Sequence, residues 1–294
     1  MAVTETTTPP GETDAAQLAE IRATIDRLDS EMHQCLIERG TAISALVRVK
    51  GTSRPGAAFR PGREADMMRR LVARHAGALP LWTVEHIWRE IITTFTRMQA
   101  SFDVAYDAGL PGALGHSDAM RDVARFLFGF TVALHRQLGP LDTINHVRES
   151  GTDLGLVALA QPPEAGAWWR ALGRPSGPRI MALAPFIAVA GRPADLPVLV
   201  IAPELADPTP PELTLFAVSA IGADAARVIR AAGGTVLAEA GREMLVALPA
   251  ATSPAVLSAR AGFDDIAKVG ALSCGIAIGA VDADPVLYRR IEEA

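Results

Sequence analysis

Between Asp14 and Lys50 the chain has no proline and a single glycine, Gly40. Along this run Leu18, Ile21, Ile25, Leu28, Met32, Cys35, Ile43 and Leu46 recur in steps that, counted through Arg39, are three or four residues. A helix gathers such positions on one stripe, because its side chains repeat every 3.6 residues. The spacing predicts one helix, about 55 Å long at 1.5 Å per residue. No small domain covers a stripe of that length, so a second chain packed along it is expected.

The stripe is not apolar throughout. Arg39 stands between Cys35 and Ile43, and Lys50 follows Leu46 by four. Those two cations are about three turns apart and point the same way. Arg22 sits beside the stripe, one position after Ile21. Long side chains can snorkel from such positions to water. Cations that stay buried cost several kcal/mol each without a partner, so a site that keeps several implies an anionic ligand. The formal net charge is −5, which speaks against a general nucleic-acid or anionic-membrane binder and makes any anion site local. A further cation group, Arg60, Arg63, Arg69 and Arg70, outnumbers Glu64 and Asp66 in "AFRPGREADMMRRL".

"GTSRPGAAFRPG" ends the long helix. A short helix is expected from Arg63 to His75, stopped by Gly77 and Pro80. A third runs from Leu81 to Phe102 with Trp82, Ile87, Ile91, Ile92, Phe95 and Met98 apolar. Residues 14–102 thus form an all-helical domain. From 103 to 202 the texture alternates: strand in "FDVAYD", helix in "HSDAMRDVARFLFGF", strand in "TVAL", helix in "LDTINHVRES", strand in "TDLGLVAL". That order predicts α/β structure with parallel pairing. After the proline-rich "APELADPTPPE", residues 212–282 read β-α-β-β-α-β, the ferredoxin-like order.

The N-terminal third carries a specific resemblance. "LAEIRATIDRLDSEMHQCLIERGTAISALVRVKG" followed by "FRPGREADMM" resembles the all-helical chorismate mutase family. The shared marks are I-R-x-x-I-D-x-L-D, then E-R, then a lysine eleven residues after that arginine, then R-E opening the second helix. Arg22, Arg39, Lys50, Arg63 and Glu64 stand on them, and Gln99 ends the third helix where the family places Gln or Glu. Arg60 stands where some members have Asp, and Phe95 where some have Ser.

The resemblance implies rearrangement of chorismate to prephenate in aromatic amino acid biosynthesis by an intertwined homodimer. It implies that Arg39 and Arg22 clamp the two carboxylates, with Arg22 supplied by the partner subunit. Lys50 and Gln99 would donate to the ether oxygen, Glu64 would accept from the ring hydroxyl, and Arg63 would serve the dicarboxylate. Guanidinium forks suit carboxylates because they bind them bidentately. An intramolecular rearrangement needs a compact substrate conformer and charge stabilisation at the breaking bond, without acid–base groups or a nucleophile. No cofactor and no metal ligand set are expected. The six histidines form no i, i+4 pair, and each is read as structural or exposed. Arg60, Arg69 and Arg70 are read as solvated.

The middle segment resembles a prephenate dehydratase domain in "VAYDAGLPGALG" and "LDTINHVRESGTDLGLVAL", and the last segment an amino-acid-sensing ACT-type domain whose usual Gly-Ala-Leu helix start is matched only loosely by Gly222-Ala223-Asp224. That family's Thr-Arg-Phe signature is replaced by Ala184-Pro185-Phe186, which implies that the dehydration step is lost. A bifunctional mutase–dehydratase and a non-catalytic regulatory protein stay open as alternatives. Cys35 and Cys274 form no CxxC or metal spacing, consistent with a reducing compartment. The first residues lack the basic and apolar regions of a secretory signal and read as a disordered tail. No run of about 18 apolar residues occurs. A cytoplasmic protein without membrane partners is expected.

Overall fold

The computed structural model describes residues 12–50, 59–110, 116–175, 177–204, 210–221, 224–253, 255 and 263–292. Outside them lie the expected N-terminal tail, the break after Lys50, part of the glycine-rich turn after Ala108, the middle of the proline-rich linker, Gly222-Ala223 and most of the helix expected in "TSPAVLSARAG". The Lys50 side chain also falls outside. The chain divides into two bodies, Met1–Thr52 and Ser53–Ala294.

The first body is a single helix, α1 (Glu12–Lys50). Its polar face carries i, i+4 links such as Arg27 to Glu31 and Gln34 to Glu38. Its apolar stripe is bare: Leu18, Ile21, Ile25, Leu28 and Met32 are each 45–62% exposed.

The second body opens with α2 (Pro61–Arg74) and α3 (Leu81–Gln99). Pro61 begins α2, where its missing N–H costs nothing. Gly62, Ala65, Met68 and Leu71 then recur at three-residue steps on the buried face. The buried face of α3 differs from the one the apolar residues suggest. Leu81, Glu85, Ile92, Thr93 and Thr96 are buried, while Ile87 and Met98 are exposed. The helix stops at Gln99, three residues short of Phe102, because Ala100 turns extended and Phe102 enters the core.

A nine-stranded sheet follows. Its first part is parallel: β1 (Val104–Asp107) lies between β2 (Leu134–Gln137) and β3 (Leu154–Ala158). The helices α4 (His116–Phe128) and α5 (Pro140–Ser150) connect these strands. Strand β2 begins at Leu134, not at Thr131. It is an edge strand of LHRQ whose place is set by register with β1, Val104 opposite Leu134, and not by its own apolarity. Two antiparallel strands, β4 (Arg179–Ala184) and β6 (Val198–Ala202), extend the sheet beyond β3. The sequence reading had no strand there.

The last segment contributes β7 (Leu213–Ala220), α6 (Ala225–Ala231), β8 (Thr235–Ala240), β9 (Glu243–Pro249) and β10 (Phe263–Leu272). They pair antiparallel in the order β10-β7-β9-β8, a ferredoxin-like arrangement. Its outer strand β10 also joins β4, through one parallel pair, Gly270 with Ile180, so the sheet is continuous across residues 202–212. A Cβ on Gly270 would lie 2.3 Å from the Ile180 carbonyl oxygen. Only glycine allows that approach. A second, three-stranded parallel sheet joins β5 (Ile187–Val189) to β11 (Gly275–Ile278) and β12 (Tyr288–Ile291).

Candidate functional site

On α1, Arg22 is exposed and Arg39 is half-buried. Seventeen positions separate them, about 25 Å of helix rise. One small dicarboxylate cannot bridge both arginines of the same helix. Lys50 closes α1, eleven positions beyond Arg39.

In the second body Arg63 is exposed in the first turn of α2. Its neighbour Glu64 is half-buried and accepts from Arg89 Nη1 at 3.2 Å. Gln99 folds back on its own helix, donating through Nε2 to the Phe95 carbonyl at 3.0 Å. It lies ten positions beyond Arg89 on α3, about 15 Å of rise. Arg63 and Glu64 are consecutive on α2, and Gln99 is the last residue of α3.

Glu64 ends a buried ion network absent from the sequence reading. Arg89 Nε lies 3.7 Å from Glu85 Oε1, and Arg192 Nε and Nη2 both donate to Glu85 Oε2 at 3.2 Å. Arg192 also donates through Nη1 to the carbonyls of Pro193 and Ala194, and its guanidinium lies 4.1 Å from the centroid of the Phe126 ring. Burial pulls the Arg192 pKa down, against Glu85, which holds its charge. The available signals were Glu85 and Arg89 at i, i+4 on the register of Leu81, and Arg192 in an otherwise apolar stretch.

Arg69 is not solvated. It is half-buried, pairs with Asp66 and Glu212, and donates to the Cys274 carbonyl at 2.9 Å, tying α2 to β7 and β11. Arg70 is exposed, as expected, and Arg60 is half-buried. Burial raises the Cys274 thiol, with Glu212 adding to it, which fits a structural cysteine.

Polar groupings also lie at both ends of β1. At the carboxyl end of β1, the fully buried Asp107 accepts from the Gly109 N–H at 2.8 Å and from Gln161, with His116 Nε2 3.7 Å away. At the other end of the same strands, His135, His146 and Asp153 each offer one potential metal-ligating atom, all within 4.8 Å of one another. Ala184-Pro185-Phe186, where a Thr-Arg-Phe signature was sought, offers no polar side chain. Ala184 and Phe186 are core residues, and the Pro185 carbonyl accepts from Tyr288 Oη at 2.9 Å. The Arg69 guanidinium lies 5.6 Å from the Phe186 ring centroid.

Residues 21–100 match the family chorismate mutase type II. That span contains all six of Arg22, Arg39, Lys50, Arg63, Glu64 and Gln99. The chain is 33% identical over 85 residues to a bifunctional chorismate mutase/prephenate dehydratase of Neisseria gonorrhoeae, covering 29% of this chain and 23% of that protein. A protein of the same description from Stutzerimonas stutzeri is 26% identical over 156 residues, 51% of this chain and 41% of its own length. The chain thus spans well under half of these relatives. Among solved structures, the prephenate dehydratase of Streptococcus mutans aligns over 58% of this chain and 97% of its own, with 10% identity and a TM-score of 0.34. Among the described residues no helix is long and apolar enough to cross a membrane.

Proposed function

We propose that this chain is a chorismate mutase, an isomerase converting chorismate to prephenate without a cofactor, as a cytoplasmic homodimer. The observation that carries the reading is the chorismate mutase type II match over residues 21–100, with a charged or amide residue at all six resemblance positions. In this reading Arg39, Lys50, Glu64 and Gln99 are catalytic, and Arg22 and Arg63 complete the substrate site. Arg39 clamps one carboxylate. The 25 Å of helix between Arg22 and Arg39 requires that Arg22 reach a different site, that of the partner. The bare stripe of α1 supports this, since an isolated helix without a covered apolar face gains little stability.

The chemistry then follows from charge. The carboxylates are ionised before and during reaction, so the arginines bind and fold the substrate. Negative charge grows on the ether oxygen only as its bond to carbon breaks, so a donor there stabilises the transition state selectively. The test is loss of chorismate and appearance of prephenate with the purified full chain, with and without a chelator. No turnover by the folded chain, or turnover abolished by the chelator while the chain stays folded, contradicts the reading.

A second reading adds prephenate dehydratase activity, as in the names of the relatives. Ala184-Pro185-Phe186 speaks against it. Phenylpyruvate formed from prephenate at neutral pH above the buffer rate would establish the bifunctional reading.

A further inference from the structure

We propose that His135, His146 and Asp153 form a structural binding site for one divalent cation of borderline hardness, Zn2+ in class, at the amino ends of β1 and β3 beneath α5. The placement is built by the fold. Ala105 pairs with both His135 and Gly155, so these three residues form one row across β2, β1 and β3. Gly155 has no side chain to hold α5 away: a Cβ there would meet Val147 at 2.8 Å and Thr143 at 3.1 Å. That close approach brings His146, next to Val147, over the row. The rings of His135 and His146 stack, with centroids 5.0 Å apart and planes at 29°.

Both imidazoles turn Nε2 toward a carboxylate. His146 Nε2 is 3.0 Å from Asp153 Oδ2, and His135 Nε2 is 3.4 Å from Asp103 Oδ2. Tetrahedral Zn2+ with bonds of about 2.0–2.1 Å sets its ligand atoms about 3.4 Å apart. The His146–Asp153 edge is already within that spacing, and the full set, within 4.8 Å, needs at most about 1.4 Å of closure. The supporting groups are also present. Asp153 Oδ1 accepts from the Asp103 N–H at 3.0 Å and from Thr152 at 3.2 Å, which fixes the carboxylate. Gln137 Nε2 lies 3.2 Å from His146 Nδ1, and the amide can be turned over in place. With its oxygen turned to that nitrogen it would hold the proton on Nδ1 and free Nε2 for a metal.

Charge favours the same conclusion. Asp153 and Asp103 set two carboxylates beside the two imidazoles, and Arg97 lies 3.5 Å from Asp103. Two stacked imidazolium rings would repel each other, whereas one divalent cation serves both nitrogens. Asp103 or water completes the coordination. The ligands come from β2, α5 and the turn before β3, so the ion clamps the edge of the sheet to its covering helix.

The experiment titrates the metal-stripped full chain with Co2+, read by its visible absorption, and then displaces it with Zn2+. One equivalent should bind. His135→Gln and Asp153→Asn should each weaken binding at least about tenfold, with unchanged far-ultraviolet circular dichroism, while His33→Gln on α1 should bind as the parent does. No stoichiometric binding by the parent overturns the site, as does undiminished binding in both variants. A cysteine-thiolate charge-transfer band on Co2+ addition would place the ion at Cys35 or Cys274 and overturn it equally.

Discussion

Arg192 sets both Nε and Nη2 on one oxygen of Glu85, at 3.2 Å each, with both side chains buried. This pair fastens α3 to the connection between β5 and β6, a link between residues 107 positions apart. Removing one partner leaves the other charge buried. Arg192→Met alone is expected to cost about 3–5 kcal/mol, and Glu85→Gln a comparable amount. The double variant should cost clearly less than the two together, because neither charge is then stranded. Urea unfolding of the four proteins measures this. Additive costs would show that the pair has no coupling.

The continuity of the nine-stranded sheet rests on Gly270 beside Ile180. Gly270→Ala drives a Cβ to within 2.3 Å of a backbone carbonyl oxygen, which no side-chain rotation relieves. A loss of about 2 kcal/mol or more is expected. Gly241→Ala, at a turn with nothing near its Cβ position, should cost less despite its φ of 63°. Equal losses at the two positions, by thermal or urea unfolding, would contradict the close strand approach.

Burial raises the Tyr288 hydroxyl to about 12, against the nearby Arg192, which lowers it, and with Glu85, which raises it. The folded pKa lies above the unfolded value of about 10. Its contribution is therefore complete below pH 10 and is lost as pH rises from about 10 through about 12. Tyr288→Phe should forfeit the bond to Pro185 O, about 1 kcal/mol, and flatten the fall in stability over that window. Denaturant unfolding at a series of alkaline pH values checks the slope. An unchanged slope in Tyr288→Phe would remove this residue as its source.

If α1 is exchanged between two copies, Arg22→Ala and Arg39→Ala should complement. Each homodimer lacks one arginine in both sites, whereas the mixed dimer has one intact site. Mixing under subunit exchange should return roughly a quarter of parental turnover, the statistical share of half-active mixed dimers at random reassortment. A mixture as inactive as its parents contradicts a shared site.

Local pattern made the three helices and the ferredoxin-like strand order legible. α1 follows from a stripe of three- and four-residue steps, and α2, expected from Arg63 to His75, starts two residues earlier at Pro61 and ends at Arg74. Pairing partners were not legible. β2 takes its place from β1, and β12 from β11, which neither strand's own residues encode. The buried face of α3 differs from the expected one because Glu85 counts as polar in any apolarity pattern, and Arg192, far along the chain, pairs with it in the core beside Arg89. Arg69 followed the same logic through Glu212. His135 and His146 stand eleven positions apart on different elements, so no helical spacing joins them.

The proposed chemistry turns on Lys50. A donor to the ether oxygen acts mainly in the transition state, so its loss typically lowers kcat by about 10²–10³ and affects KM less. Arg39→Ala should raise KM as well, since its carboxylate is charged in the ground state. Steady-state conversion of chorismate to prephenate by the full chain, compared with Lys50→Ala and with Lys268→Ala, is the decisive measurement. The account predicts clear turnover by the parent, a fall of about 10²–10³ in kcat for Lys50→Ala, and parental rates for Lys268→Ala. Near-parental kcat in a folded Lys50→Ala protein, or no turnover by the parent itself, contradicts it.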